Sequence, residues 1–246
     1  MTAKTSVVVI AAALAIAGCS SVLGFKDPTF DDMRPAPDAA VDAPTIDMGP
    51  AVCMPSACPF GCDTATNMCR DGVLWLFPSA GAFLGNAFGG TDNPPDVRAT
   101  ADGKCLTTYT TTFGARQCNP ARVHAVLFVS GADSLALMAS KYGVPTTVPV
   151  QRADDTVLVA NTWTDFLDTT KQLRAPATTA ASQAEGFVWT GANQPPSTCQ
   201  NWMSGLSTDS GARGDTTVID NTWIEHDVLR CDRPARLLCV CWSGGE

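Results

Sequence analysis

Apolar positions along the chain fall into four regimes. Residues 7–17 form one unbroken apolar run, shorter than the roughly 20 residues a membrane-spanning helix needs. From 20 to 52 there is no period, and 34–52 is built of Pro, Ala and Asp without a single aromatic side chain. Between 53 and 69 turn residues (Pro55, Pro59, Gly61) separate four cysteines. From 73 onward the texture is globular. The continuous run 73–77 (VLWLF) predicts a buried strand, and 95–109 a helix with Pro in its first turn, Val97, Cys105 and Tyr109 roughly on one face and Gly103 as an interruption. A strand is expected over 123–130 (VHAVLFVS), and a short helix over 133–142 stopped by Gly143 and Pro145. Next come a strand at 156–159 and a helix opened by Thr162 as N-cap with Asp165 three residues on. Trp163, Phe166, Leu167 and Leu173 supply its apolar stripe. Strands at 186–191 and 236–242 enclose a region that reads as loop, with Gly205, Gly211 and Gly214. Short helices early, loops late and a closing strand predict an α+β domain.

These regimes divide the chain at 18, 52 and 72. Residues 1–18 carry Lys4, an apolar core and a small-residue end, the pattern of an export signal. Its last residues, Ile16-Ala17-Gly18, with Cys19 resemble the lipobox of bacterial lipoproteins. That resemblance implies cleavage before Cys19 and acylation of its thiol, with two or three chains anchoring the protein at about 0.8 kcal/mol per buried methylene. Residues 19–52 cannot bury enough apolar surface to offset ordering entropy, so a disordered Pro/Ala/Asp tether is expected. Residues 53–72 are too few for a core. Cys53, Cys58, Cys62 and Cys69 are expected to close a small module with two bridges, each contributing about 2–4 kcal/mol. Residues 73–246 form the head.

The 246 residues carry a formal charge of −8, and loss of Lys4 with the signal makes it −9. Such acidity argues against nucleic acid and other polyanions as partners and leaves neutral sugars, proteins and cations. Of the eleven cysteines, ten remain once Cys19 is assigned to lipid, an even number that reads as a disulfide framework in an exported chain. The rival reading is a metal site with Cys239-Val240-Cys241 as its best fragment. Only His124 and His226 exist, and neither lies near a cysteine pair at zinc spacing.

An ordered set of short motifs in the head resembles the C-type-lectin-like fold of the endostatin-related kind. It comprises 83–90 (FLGNAFGG), 101–105 (ADGKC), 126–130 (VLFVS), 158–168 (LVANTWTDFLD), 187–191 (FVWTG), 199–202 (CQNW), Trp223, Cys231 and 236–240 (RLLCV). The resemblance implies the pairs Cys199–Cys231, Cys105–Cys239 and Cys118–Cys241. Cys239 and Cys241 lie two apart on a predicted strand and share a face, so an exchange of their partners stays open.

Calcium-dependent sugar-binding members of this fold use Glu-Pro-Asn-type or Gln-Pro-Asp-type and Trp-Asn-Asp tripeptides, whose oxygens meet an ion that wants six to eight of them. Here Gln194-Pro195-Pro196 lacks the third side-chain oxygen, and Cys199-Gln200-Asn201-Trp202 holds Gln and Asn in another order. No cofactor is expected, and Asp220, Glu225 and Asp227 are weak candidates should calcium bind. Catalytic motifs are missing too: there is no phosphate loop, dinucleotide fingerprint, Gly-x-Ser-x-Gly elbow or paired-histidine metal motif. The pairs Asp154-Asp155 and Asp165/Asp168 fit a turn and a helix cap better than a glycosidase. The sulfatase-activating enzymes, distant users of the fold, need a reactive cysteine pair, and here each late cysteine has a framework partner. His226 between Glu225 and Asp227 suits a charged contact.

A non-enzymatic lipoprotein is thus expected, anchored at the outer membrane or cell surface, with a lectin-like head for a carbohydrate or protein ligand. The alternatives are an assembly protein of the outer envelope and, behind it, an envelope hydrolase. Its binding candidates lie in the late loops: Gln194, Gln200, Asn201, Trp202, Trp223, Glu225, His226 and Asp227. Both tryptophans match family positions, which favours core roles for them. Ser20 lacks the aspartate character that retains many lipoproteins in the inner membrane. Cys19→Ser should abolish acyl labelling and release the protein from membrane fractions; full labelling of that variant would refute the lipid anchor.

Overall fold

The computed structural model describes residues 62–63, 68–69, 72–89, 94–180, 186–192 and 197–244. The expected signal, Cys19, the tether, Cys53, Cys58 and Gln194 lie outside them.

Two apolar runs meet at the centre of the sheet. Strand β3 (Gly72–Pro78) pairs antiparallel with β10 (Arg236–Gly244), from Gly72 opposite Gly244 to Pro78 opposite Leu238. Alternation then sends Val73, Trp75, Phe77, Cys239 and Cys241 into one core and Leu74, Leu76, Leu238, Val240 and Trp242 into another. Because both faces are covered, each run is apolar throughout instead of alternating. Along its other edge β10 pairs in parallel with β7 (Phe187–Trp189), then antiparallel with β4 (Val123–Ala125). Outward from β3 lie β5 (Val150–Arg152), parallel, and β6 (Leu158–Ala160); outward from β7 lie β8 (Ser210–Asp215) and β9 (Asp227–Arg230). The domain is α+β, with a mixed eight-stranded sheet. Before it, β1 (Cys62–Asp63) and β2 (Met68–Cys69) form a separate ladder in which Cys62 faces Cys69, and both cysteines are disulfide-bonded.

Helix α1 (Pro94–Thr108) covers the first core with Val97, Ala101 and Cys105, one side chain per turn, while Gly103 faces solvent and is tolerated. Its end winds through Tyr109–Phe113 and Gly114–Arg116 to Gln117, whose left-handed backbone turns Cys118 inward. The second core takes α2 (Met138–Tyr142), stopped by left-handed Gly143, and α3 (Trp163–Leu167). Thr162 caps α3 by accepting from the Asp165 N–H at 3.0 Å. Three bridges tie the head: Cys105–Cys239, Cys118–Cys241 and Cys199–Cys231. They consume all six head cysteines, so none bonds to the segment before β3. The first two close loops of 134 and 123 residues, each worth on the order of 4–5 kcal/mol by chain entropy. Such bridges fit an oxidising location outside the cytoplasm. Among the described residues no helix is long and apolar enough to cross a membrane.

Four expectations are corrected. The strand expected over 123–130 pairs only as Val123–Ala125, because buried Arg98 takes the Ala125 and Leu127 carbonyls, both at 2.6 Å. Helix α3 ends at Leu167: Asp168 accepts from the Thr170 N–H and hydroxyl, and Leu173 is buried separately, its N–H on Ile219 O. The strand expected at 156–159 begins instead at Leu158, since Thr156 turns the chain with φ 64°. The late region read as loop contains β8 and β9, whose Gly and charged residues show no alternation. A Cβ at Gly214 would overlap the Trp223 carbonyl oxygen, which is why that strand carries glycine.

Arg98 and Asp133 form a buried pair, 5% and 3% exposed, with Nη2 2.8 Å from Oδ1. Asp133 also accepts from the Tyr142 hydroxyl at 2.5 Å and faces Lys141. Burial pushes the Asp133 carboxyl up, but the Arg98 and Tyr142 hydrogen bonds and the Arg98 charge outweigh it and hold the group below its ordinary 3.8. A depressed carboxyl contributes stability that is present above the unfolded value and lost as pH falls through the folded one. Asp133→Asn, which leaves the buried Arg98 only the more distant Asp102 carboxylate at 3.7 Å, should cost about 3 kcal/mol in urea denaturation at neutral pH. The gap to wild type should narrow as pH drops below 3.8; a gap independent of pH would show that the carboxylate charge is not its source.

Candidate functional site

The expected binding residues cluster around one turn of unusual hand. Cys199, Gln200, Asn201 and Trp202 have φ of 48°, 53°, 58° and 63°, so four consecutive L-residues lie in the left-handed region. Each costs about 1–2 kcal/mol there, and side chains at both ends hold the turn against that cost. Cys199 is bonded to Cys231. Trp202 is 0% exposed, packed edge-on against Phe88 and Trp189, and its Nε1 donates to Phe128 O at 2.9 Å. Within the turn Thr198 Oγ1 accepts from the Asn201 N–H, and Cys199 O accepts from Met203 and Ser204. Gly85 packs so closely that a Cβ there would overlap Cys199 Sγ, which gives the glycine-rich stretch before α1 its role.

The turn's two middle residues, Gln200 and Asn201, are exposed, and their carboxamides make no hydrogen bond among the described residues. Beside them Met203 and Leu206 are also exposed, Leu206 to 64%. The turn joins the sheet through Thr198, which bridges Gly211 at the start of β8. Two residues along, Arg213 lays its guanidinium 3.6 Å from the centre of the Phe187 ring, and His226 approaches the same ring at 5.5 Å. Asp227 lies 3.7 Å from the guanidinium. Arg213 Nε and His226 Nδ1 are buried and have no hydrogen-bond partner among the described residues.

Trp202 and Trp223 are not surface contacts. Trp223 is 2% exposed and stacks on Phe166 with ring centres 4.0 Å apart. Asp220, Glu225 and Asp227 do not form the ion site considered for them: among the described residues no three His, Cys, Asp or Glu side chains converge. Asp220 instead caps the short helix Asn221–Trp223 by accepting from the Thr222 N–H and hydroxyl, which hold its carboxyl below the ordinary range. Asp227 accepts from the Val228 N–H, and Glu225 is exposed. Arg213 and Phe187 were missed as site residues. Arg213 falls in the region expected to be loop and Phe187 in an expected strand, and only the β7–β8 register joins them.

The carboxylate pairs are engaged in local contacts. Asp155 is held low by Arg152, and Asp165 by Lys171, so neither is poised as a general acid. His124 Nδ1 lies 2.8 Å from Asp102, between the Tyr142 and Trp242 rings. No protein-family model matches the chain, and a search of curated proteins finds no match.

Gln200→Gly should be neutral or stabilise the protein by up to about 1 kcal/mol in chemical denaturation, because glycine adopts this backbone without a Cβ clash. Ala99→Gly, on the exposed side of α1, should cost about 1 kcal/mol. Equal destabilisation by both would mean the turn stores no strain.

Proposed function

We infer that this chain is a cell-envelope lipoprotein whose head is a non-catalytic, C-type-lectin-like binding domain carried on a Pro/Ala/Asp tether. The observation that carries the reading is the left-handed turn. Residues kept in a costly backbone conformation by a disulfide and a buried indole, yet presenting exposed carboxamides, are built for presentation and not for packing. The ordered lectin-like motifs and the three head bridges support the fold reading, and the lipobox-like end of the signal supports the anchor. A protein ligand is favoured over a sugar. Exposed Met203 and Leu206 flank the carboxamides, and the large apolar side chains exposed among the described residues include no aromatic ring on which a sugar could stack. Recognition needs no calcium.

Site-specific photo-crosslinking in intact cells tests this. A benzophenone amino acid at position 200 of the full-length protein should give one discrete protein adduct, insensitive to EDTA. The same group at exposed position 137 should not. Equal labelling at both positions would sink the reading, as would adducts lost on calcium removal. Saccharide adducts at position 200 would replace the protein ligand with a sugar.

A further inference from the structure

The three head bridges differ in what would hold their cysteines together if the sulfur bond opened. Cys239 and Cys241 belong to β10, paired along one edge with Phe77 and Trp75 of β3 and along the other with Ala125 and Val123 of β4. Cys105 lies on α1, which Arg98 clamps to Asp133 and to the Ala125 and Leu127 carbonyls. Cys118 follows a single left-handed residue, Gln117, and its carbonyl accepts from the Tyr109 hydroxyl at 3.0 Å. Helix and sheet therefore keep both of these thiol pairs facing each other without the bond.

Cys199–Cys231 has a weaker frame. Cys199 is itself the first of the four left-handed residues, with φ 48°, so the backbone that brings its sulfur to Cys231 is one an L-residue leaves when free to do so. The sulfur bond is one of two ties that hold the turn, the Trp202 indole being the other. Cys231 follows β9, the edge strand of the sheet. Buried Gly85 covers the bridge without a side chain, while Leu84 and Asn86 on either side of it are exposed. Closed, the bridge keeps the strain in place; open, it frees the turn to relax and the two thiols to part. Strain of this kind favours reduction. Exposure argues for another order, since Cys118 is 5% exposed whereas Cys199 and Cys231 are 0% exposed. The order in which the bridges open therefore separates strain from access.

We propose that Cys199–Cys231 is a redox-sensitive latch: a dithiol reductant opens it before the other two head bridges, and the turn then leaves its left-handed path and no longer fixes Gln200 and Asn201. A reductant thiolate attacks one bridge sulfur and displaces the other as a thiolate, and the reductant's second thiol resolves the mixed disulfide. The bridge gains two electrons and two protons, and the dithiol leaves as a disulfide. The reverse exchange with an oxidised dithiol resets the turn. The latch draws on the geometry of the turn and not on its role in binding, so it can fail while the recognition reading stands, and the reverse.

Full-length protein equilibrated in buffers of reduced and oxidised dithiothreitol, trapped with N-ethylmaleimide and mapped by mass spectrometry, gives the order of opening. Cys199 and Cys231 should label first, with Cys105, Cys118, Cys239 and Cys241 still bonded. In that state the N–H groups of Asn201, Trp202, Met203 and Ser204, bonded within the turn when the bridge is closed, should exchange with deuterium about tenfold faster or more. Gln200→Val puts a β-branched residue at φ 53° and raises the strain, and Gln200→Gly relieves it. Ease of reduction should therefore rise from Gln200→Gly through wild type to Gln200→Val. The series should span about tenfold in equilibrium constant, about 30 mV for a two-electron couple, with the other two bridges unmoved. Should Gln200→Val fail to fold, Gln200→Gly against wild type decides alone. Prior opening of Cys118–Cys241 or Cys105–Cys239, loss of all three bridges at once, unchanged exchange in the turn, or reduction indifferent to the residue at 200 would each overturn the proposal.

Discussion

The head is organised around a buried ion pair that joins α1 to the segment 125–133. Arg98 on α1 holds Asp133 and, with the same guanidinium, the carbonyls of Ala125 and Leu127. Asp102, one turn along the helix, accepts from the Ala125 N–H and contacts His124. One helix face thus supplies an acceptor for the Ala125 N–H and donors for the Ala125 and Leu127 carbonyls, where the chain leaves the ladder. The charge is tolerable at this depth because Asp133, Tyr142 and the carbonyls surround it. The clamp and the Cys105–Cys239 bridge together fix the helix over the sheet.

What the sequence made legible follows from which forces act locally. The runs that became β3 and β10 were readable because a strand buried on both faces writes itself as continuous apolar residues. Gly143 and Thr162 were readable because a helix end is a local hydrogen-bonding problem. The shortened strand at 123–130 was not, since the Arg98 side chain that unpairs it comes from another element. Strands β8 and β9 were hidden for a related reason. Their pairing rests on neighbouring strands and on glycines that admit close backbone approach, not on an apolar period of their own. The three framework bridges formed are the pairs that the resemblance implied; spacing alone had left Cys239 and Cys241 interchangeable. The binding candidates split likewise. Exposed Gln200 and Asn201 stand together at one turn, Trp202 and Trp223 belong to the cores, and Arg213 joins the region only through register.

Handedness is the part of the late region that local propensity resists most. Of Cys-Gln-Asn-Trp only Asn201 is of a type that favours the left-handed region, and the turn exists because tertiary ties over-determine it from both sides. The sulfur of Cys199 and the indole of Trp202 are fixed first by the core, and the two residues between them take whatever backbone path remains. Residues on so constrained a path have little backbone freedom left to lose.

The central strand of the sheet follows every other strand in the chain. Until β10 is in place, β3, β4 and β7 have no common neighbour, and Cys105 and Cys118 have no correct thiol to meet. Before that point the head is a chain with exposed strand edges and two thiols near each other in sequence. Assembly is deferred to the last moment and proceeds through long-range contacts, the slow kind. A fold so wired needs an oxidant to close its bridges, and a premature Cys105–Cys118 bond would have to be reshuffled before the centre of the sheet could form.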